Sequence, residues 1–219
     1  MADGTSPKET HRARPWIKRS TPEQVANSWK KGTIDEAWPP GLAGYEHGLG
    51  FKREDLRGKD VLDLGADNGD SLARDLHEAG IEVNVVSLSP DFAKEGVLEA
   101  MSYYSPGWKM KKGIVGIAQK LPFKKDSFDV ILSKTAVTYA ASIYPEQVKA
   151  WTTEIGRVLK PGGEARIGPT YGDRQGYGKN YEHLIQSAKD SGLDIEVENG
   201  VADNGLIILK KPSISISPV

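Results

Sequence analysis

From Lys59 onward the chain alternates short apolar runs with amphipathic ones, and this alternation restricts its fold more than any other feature. Residues 61–64 read as a buried strand. Residues 71–79 place Leu72, Leu76 and Ala79 on one helical face, and Gly80 ends it. Residues 81–88, with Val83, Val85 and Val86, read as a second strand, and residues 90–102 as a helix opened by Pro90. Residues 114–118 and 128–132 are the third and fourth strands. Residues 145–159 repeat Val148, Trp151, Ile155 and Val158 at three- and four-residue steps. The turn Lys160-Pro161-Gly162-Gly163 stops that helix before a fifth strand at 165–167. A helix at 181–191 precedes two strands, 194–197 and 206–209, joined through Gly200 and Asn204-Gly205 and close enough to pair antiparallel. The pattern predicts an α/β domain with a mostly parallel central sheet and an antiparallel edge hairpin.

The length of 219 residues suits one such domain. Residues 1–20 hold Lys8, Arg12, Arg14, Lys18 and Arg19 against Asp3 and Glu9, which reads as a flexible basic arm open to an RNA or protein partner. Residues 21–54 read as a helix and loop cover. Thr21-Pro22-Glu23-Gln24 starts the helix, and Trp38, Pro39, Pro40 and the glycines beyond Trp29 make loop with at most short helices. The main domain is 55–210, and the Ser/Pro-rich residues 211–219 read as a flexible tail. Twenty-nine basic against thirty acidic residues leave a net charge of −1, so nothing global asks for nucleic acid or an anionic membrane. There is no apolar run of about eighteen residues and no apolar core of a signal peptide, so a soluble cytoplasmic protein is expected. The absence of cysteine excludes disulfides, thiolate catalysis and cysteine-held metal, and no His/Asp/Glu cluster has metal-ligand spacing.

In an open α/β sheet a ligand lies beyond the carboxyl ends of the strands, where the strand order reverses. The stretch VLDLGADNGD, residues 61–70, is a buried strand running into a glycine turn at that place. Amides around Gly65, and those opening the helix near Asn68 to Ser71, are suited to a carboxylate or phosphate. The dinucleotide pattern G-x-G-x-x-G counted from Gly65 needs glycine at 67 and 70, and both are aspartate. Each carboxylate facing a pyrophosphate at close range costs about 4 kcal/mol, which disfavours NAD.

VLDLGADNG, VVSLSP, GIAQKLPF, DSFDVILS and EIGRVLKPGG follow one another across residues 55–210. Together they resemble the class I S-adenosylmethionine-dependent methyltransferases, most closely the subgroup acting mainly on small molecules. The resemblance implies a Rossmann-like seven-stranded sheet with helices on both faces, S-adenosyl-L-methionine as cofactor and a small-molecule acceptor. It implies that Asp63 reaches the methionine end of the cofactor, with Gly65 and Gly69 letting the backbone approach and Ala66 and Asp67 between them. Ser87, beside Leu88, stands where the family has an acid on the ribose hydroxyls. Ile117 stands where an aspartate meets the adenine amine, leaving recognition to the Ala118 amide. Ser133, near the end of the fourth strand, completes the implied set.

Three of these positions depart from the family's pattern. Ser87 offers one modest hydrogen bond in place of a charge-assisted pair, a loss of about 1–3 kcal/mol. Ile117 packs on a ring but accepts nothing. Asp67 repels a carboxylate yet attracts an ammonium or sulfonium, and Asp67-Asn68 tolerates a left-handed backbone. Methyl transfer needs chiefly in-line geometry, so no general base is required. Tyr139, which with Lys134 and Thr135 follows the fourth strand, is a candidate site-lining residue. His47, beside Tyr45 in a segment that related enzymes fold over the cofactor, is a candidate base. His77 and His183 read as solvated. Residues 168–178 read as a substrate-side loop or a plain connection. Lys109, Lys111 and Lys112 beside Trp108, extended by Lys120, Lys124 and Lys125, read as a solvated face or an RNA contact. Two functions follow: methyl transfer, or a catalytically inactive methyltransferase-like domain kept as a binding or assembly module. A different nucleoside ligand is a third reading.

Overall fold

The computed structural model describes residues 41–66, 70–94, 108–110, 112–170, 178–198 and 205–213, all within the unit Trp38–Val219. In chain order the elements are α1 (Gly41–Leu49), β1 (Asp60–Leu64), α2 (Ser71–Glu78), β2 (Asn84–Leu88) and β3 (Gly113–Ile114), then β4 (Phe128–Lys134) and α3 (Ala136–Ile143). They continue with α4 (Val148–Val158), β5 (Leu159–Thr170), α5 (Gly178–Asp190), β6 (Asp194–Glu198) and β7 (Gly205–Lys210). One seven-stranded sheet runs β3-β2-β1-β4-β5-β7-β6. The first five strands pair parallel, and β7 pairs antiparallel with both β5 and β6. The expected α/β architecture with its antiparallel edge hairpin is present.

β1 is apolar at Val61, Leu62 and Leu64 without alternation because both of its faces are covered. Val61, Val85, Val130, Leu132 and Ile208 pack on one side against Leu42, Leu49, Leu72 and Leu76 of α1 and α2. Leu62, Leu88, Ile131, Ala165 and Ile167 pack on the other against Val137, Trp151, Ile155 and Leu184 of α3, α4 and α5. At the amino ends, Lys160 Nζ bridges Asp60 (2.7 Å) and Asp129 (2.8 Å), and Asp129 also accepts the Asp60 N–H. This pins β1 against β4 at their starts.

The stretch before Gly50, read as loop with at most short helices, holds one, α1, since Leu42, Tyr45 and Leu49 recur at helical spacing and bury despite the glycines around them. Three expectations change. The segment after β4 forms α3, which was not foreseen. β3 shrinks to two residues. The Lys160-Pro161-Gly162-Gly163 stretch does not precede β5 but lies inside it, as a register shift between Phe128↔Leu159 and Val130↔Glu164. A side chain at Gly163 would press on the Asp129 carbonyl at 2.9 Å, so only glycine lets the strand fold back there. The arm, the helix at Thr21, residues 95–102 of the expected helix, residues 171–177 and residues 214–219 lie outside the described residues.

Candidate functional site

The strand order reverses between β1 and β4, whose carboxyl ends lie under α1. α1 is held at both ends. The Leu42 N–H donates to Asp75 Oδ2 on α2 (2.9 Å), and Arg166 Nη1 on β5 donates to the Leu49 and Gly50 carbonyls (3.0 and 2.8 Å). Orphan groups of a short helix are thereby satisfied from two neighbouring elements. The helix so fixed buries Tyr45, whose hydroxyl lies 3.0 and 3.1 Å from the two oxygens of Asp63. Asp63 is 1% exposed, and burial pushes its carboxyl up to about 7, with the Tyr45 hydroxyl and the Lys134 charge opposing and the Asp70 charge adding. Lys134, the last residue of β4, lays its ammonium over the Tyr45 ring, 4.5 Å from the centroid. Burial pushes the Lys134 ammonium below the usual lysine range, against the pull of Asp63 and Asp75.

Asp63, Ser87 and Gly113 are register partners across β1, β2 and β3, so their positions share one face of the sheet. Ser87 is buried, and its hydroxyl has no hydrogen-bond partner among the described residues. It borders a cavity of about 560 Å³ along β2, lined also by Asp70, His77, Val85, Trp108 and Lys112. That volume falls in the range of small-ligand sites, but Asp63, Tyr45 and Lys134 do not line it. Asp70 is buried at the start of α2, and both its oxygens accept from Trp108 Nε1 at 2.9 Å.

The turn after β1 departs from the expected carboxylate seat. The N–H groups of Gly65 and Ala66 both donate to the Leu88 carbonyl, at 2.9 and 3.1 Å, so neither is free for a ligand. Gly65 has φ +86°, and a Cβ there would overlap the Ala136 Cβ. Its glycine is therefore required by the chain's own packing at the start of α3. Ala136 is placed there by Thr135, a left-handed residue (φ 67°) whose N–H donates to the Gly168 carbonyl at 2.6 Å. A β-branched residue in this region is strained, and such strain concentrates at functional sites.

Residues 62–167 match the model of the methyltransferase domain family. Over those residues the chain carries a methyltransferase domain. It is 27% identical over 197 residues to a sterol 24-C-methyltransferase of Gibberella zeae, covering 80% of this chain and 44% of that protein. It is 31% identical over 136 residues to the sterol 24-C-methyltransferase of Pneumocystis carinii, covering 59% and 32%. The chain thus spans less than half the length of these curated relatives. Its fold matches a SAM-dependent methyltransferase from Methanosarcina mazei at TM-score 0.52, 19% identity and 71% and 93% coverage of this chain and that one. It matches a TehB-like SAM-dependent methyltransferase from Corynebacterium glutamicum at TM-score 0.55, 16% identity and 87% and 97% coverage. The [4+2]-cyclase SpnF matches at TM-score 0.51, 19% identity and 74% and 77% coverage.

Of the residues that the methyltransferase resemblance singles out, Asp63 and Ser87 are brought side by side, and Asp67 and Gly69 lie outside the described residues. Leu88 turns its side chain into the core on the far face, and its carbonyl is taken as above. Ser133 is fully buried, and its hydroxyl accepts the Val137 N–H at 3.2 Å inside the turn that opens α3. Ala66 is buried against Phe92, and Ala118 is partly buried against the core. Ile117 is 49% exposed and Tyr139, on α3, 47% exposed. His47 is exposed on α1, two residues from the buried Tyr45. His77 and His183 are exposed, His77 beside the Trp108 ring at 5.2 Å. Of the lysine patch, Lys111 lies outside the described residues. Lys109, Lys112, Lys120, Lys124 and Lys125 are exposed, with Lys112 bonded to Asn84 and Lys125 paired with Asp126. Asp70 was not singled out as a side chain, since its Trp108 partner lies 38 residues away in a stretch without pattern. Among the described residues no helix is long and apolar enough to cross a membrane, and no group of three or more His, Asp or Glu could hold a metal.

Proposed function

We propose that this domain transfers a methyl group from S-adenosylmethionine to a small apolar acceptor. The observation that carries this reading is the pair formed by Asp63 and Ser87, neighbours in register near the carboxyl ends of β1 and β2, beside the strand-order reversal. A buried hydroxyl without a partner among the described residues fits a ribose hydroxyl, and a buried carboxyl fits an ammonium. The exposed Ile117 and the neighbouring Ala118 offer a flat apolar wall to an adenine ring. The chemistry such a cofactor supplies is an electrophilic methyl on sulfonium, and the chain's task is to hold the acceptor in line with it. The exposed Tyr139 and Tyr144, on α3 and at its end, supply aromatic surface for an apolar acceptor. The sterol methyltransferases among its relatives support that class of acceptor.

A second reading, a methyltransferase-like binding module without catalysis, is favoured by one feature. Tyr45 already holds both oxygens of Asp63, and the Gly65 and Ala66 amides are spent on Leu88, so binding requires Tyr45 to yield. The fold alone does not separate the two readings. Ultraviolet crosslinking with methyl-tritiated S-adenosylmethionine on the full chain does. Label in peptides covering residues 60–66 or 114–121, chased by S-adenosylhomocysteine, supports the cofactor site. The absence of chaseable label, or label confined elsewhere, overturns it. Turnover with apolar acceptors then distinguishes enzyme from module.

A further inference from the structure

Lys134 is a cation whose surroundings leave it short of an anion. It is partly buried on the α1 side of β4, and its ammonium makes no hydrogen bond or salt bridge among the described residues, only the contact with the Tyr45 ring. The two nearby acids are committed elsewhere. Asp75 accepts from the Leu42 N–H and from the Arg74 guanidinium, and Asp63 accepts from the Tyr45 hydroxyl. Burial weighs against the charge of both groups, pushing the Lys134 ammonium down and the Asp63 carboxyl up to about 7. A desolvated ammonium in this state gains most from a carboxylate that accepts a charge-assisted hydrogen bond. Among the described residues of the turn after β1, the Gly65 and Ala66 amides are already paired with the Leu88 carbonyl. The strained, left-handed Thr135 fixes the direction in which β4 ends and so where Lys134 stands.

We propose that Lys134 is the positioning residue that seats the carboxylate of the cofactor's amino-acid end, beside the Tyr45–Asp63 pair that meets its ammonium. The inference rests on the methyltransferase reading above. It assigns the carboxylate to a side chain of β4 in place of the glycine turn.

Equilibrium dialysis of the full chain tests it with three probes: S-adenosylhomocysteine, its decarboxylated analogue, and 5′-methylthioadenosine, which lacks the whole amino-acid end. The wild-type chain should bind S-adenosylhomocysteine about tenfold to a hundredfold tighter than the decarboxylated analogue. Lys134→Met should erase that preference by weakening S-adenosylhomocysteine alone, and Lys134→Arg should keep most of it. The comparison of probes on the wild-type chain stands even if the Met variant folds poorly. A preference that persists in Lys134→Met puts the carboxylate elsewhere and overturns the proposal. Tighter S-adenosylhomocysteine binding by Lys134→Met also overturns it, since Lys134 would then be competing with the ligand's ammonium for Asp63. Equal wild-type binding of all three probes overturns the carboxylate seat but leaves the cofactor reading standing. Binding of none overturns both.

Discussion

Asp63 sits where ionisation costs most, and this makes it a reporter of its own surroundings. Its folded-state carboxyl titrates near 7 against 3.8 for an ordinary aspartate, so the folded chain holds the proton more tightly than the unfolded one. The stability this proton linkage gives is complete below about pH 4 and is lost as the pH rises to about 7. Glu46, Asp60, Asp126 and Glu154 are held below the usual carboxylate range by Arg53, Lys160, Lys211 and Arg157, so their losses fall at lower pH. Urea unfolding should therefore show the wild type losing on the order of 2–3 kcal/mol between about pH 5 and pH 8. Asp63→Asn, which can still accept from Tyr45, should flatten that slope. An unchanged slope would mean that Asp63 is ionised in the fold. Gly65→Ala tests the turn beside it and should cost about 2–4 kcal/mol through overpacking and positive φ. Adding Ala136→Gly should return the steric part, which a glycine kept only for a ligand would not show. Asp63 was legible through the family resemblance, in which an acid ends the first strand. The partner of Gly65 was not, since Ala136 reaches it only through the reversal of strand order.

At the scale of elements, the candidate site depends on how α1 is held. Its nine residues include three glycines and would not persist alone, so the caps supplied by Asp75 and Arg166 and the burial of Leu42, Tyr45 and Leu49 hold it in place. Arg166→Met, which keeps the aliphatic bulk and loses the hydrogen bonds to Leu49, Gly50 and Glu164, should destabilise the fold by about 1–3 kcal/mol. It should also speed amide exchange in α1 ahead of β1 and β4. Uniform acceleration across the sheet would show that Arg166 serves global stability alone. α1 was legible only as one of the short helices allowed in a glycine-rich stretch, and the tertiary contacts that override its low propensity come from α2 and β5. α3 was hidden, since Ala136, Val137 and Ala141 are too few to mark a periodic face in eight residues. The strands and the long amphipathic α4 were legible because their burial is repetitive. The Pro-Gly-Gly stretch was legible as a break but not as a bulge within β5.

At the scale of the whole molecule, the alternation of elements carries the mostly parallel sheet and its antiparallel edge hairpin, and the structure adds the strand order. What the alternation does not carry is the state of the cleft, which is set by contacts between distant residues: Tyr45 with Asp63, Trp108 with Asp70, and Gly65 with Ala136. The central claim is that these contacts leave a cofactor site centred on Asp63, opened when Tyr45 yields. Calorimetric titration of S-adenosylhomocysteine into the full chain and into Asp63→Asn tests this most directly. One saturable site in the wild type, weakened about tenfold or more in Asp63→Asn, is the predicted result. No heat up to about millimolar ligand, far above the affinities by which small-molecule cofactors are held, or equal affinity in both proteins, would contradict it.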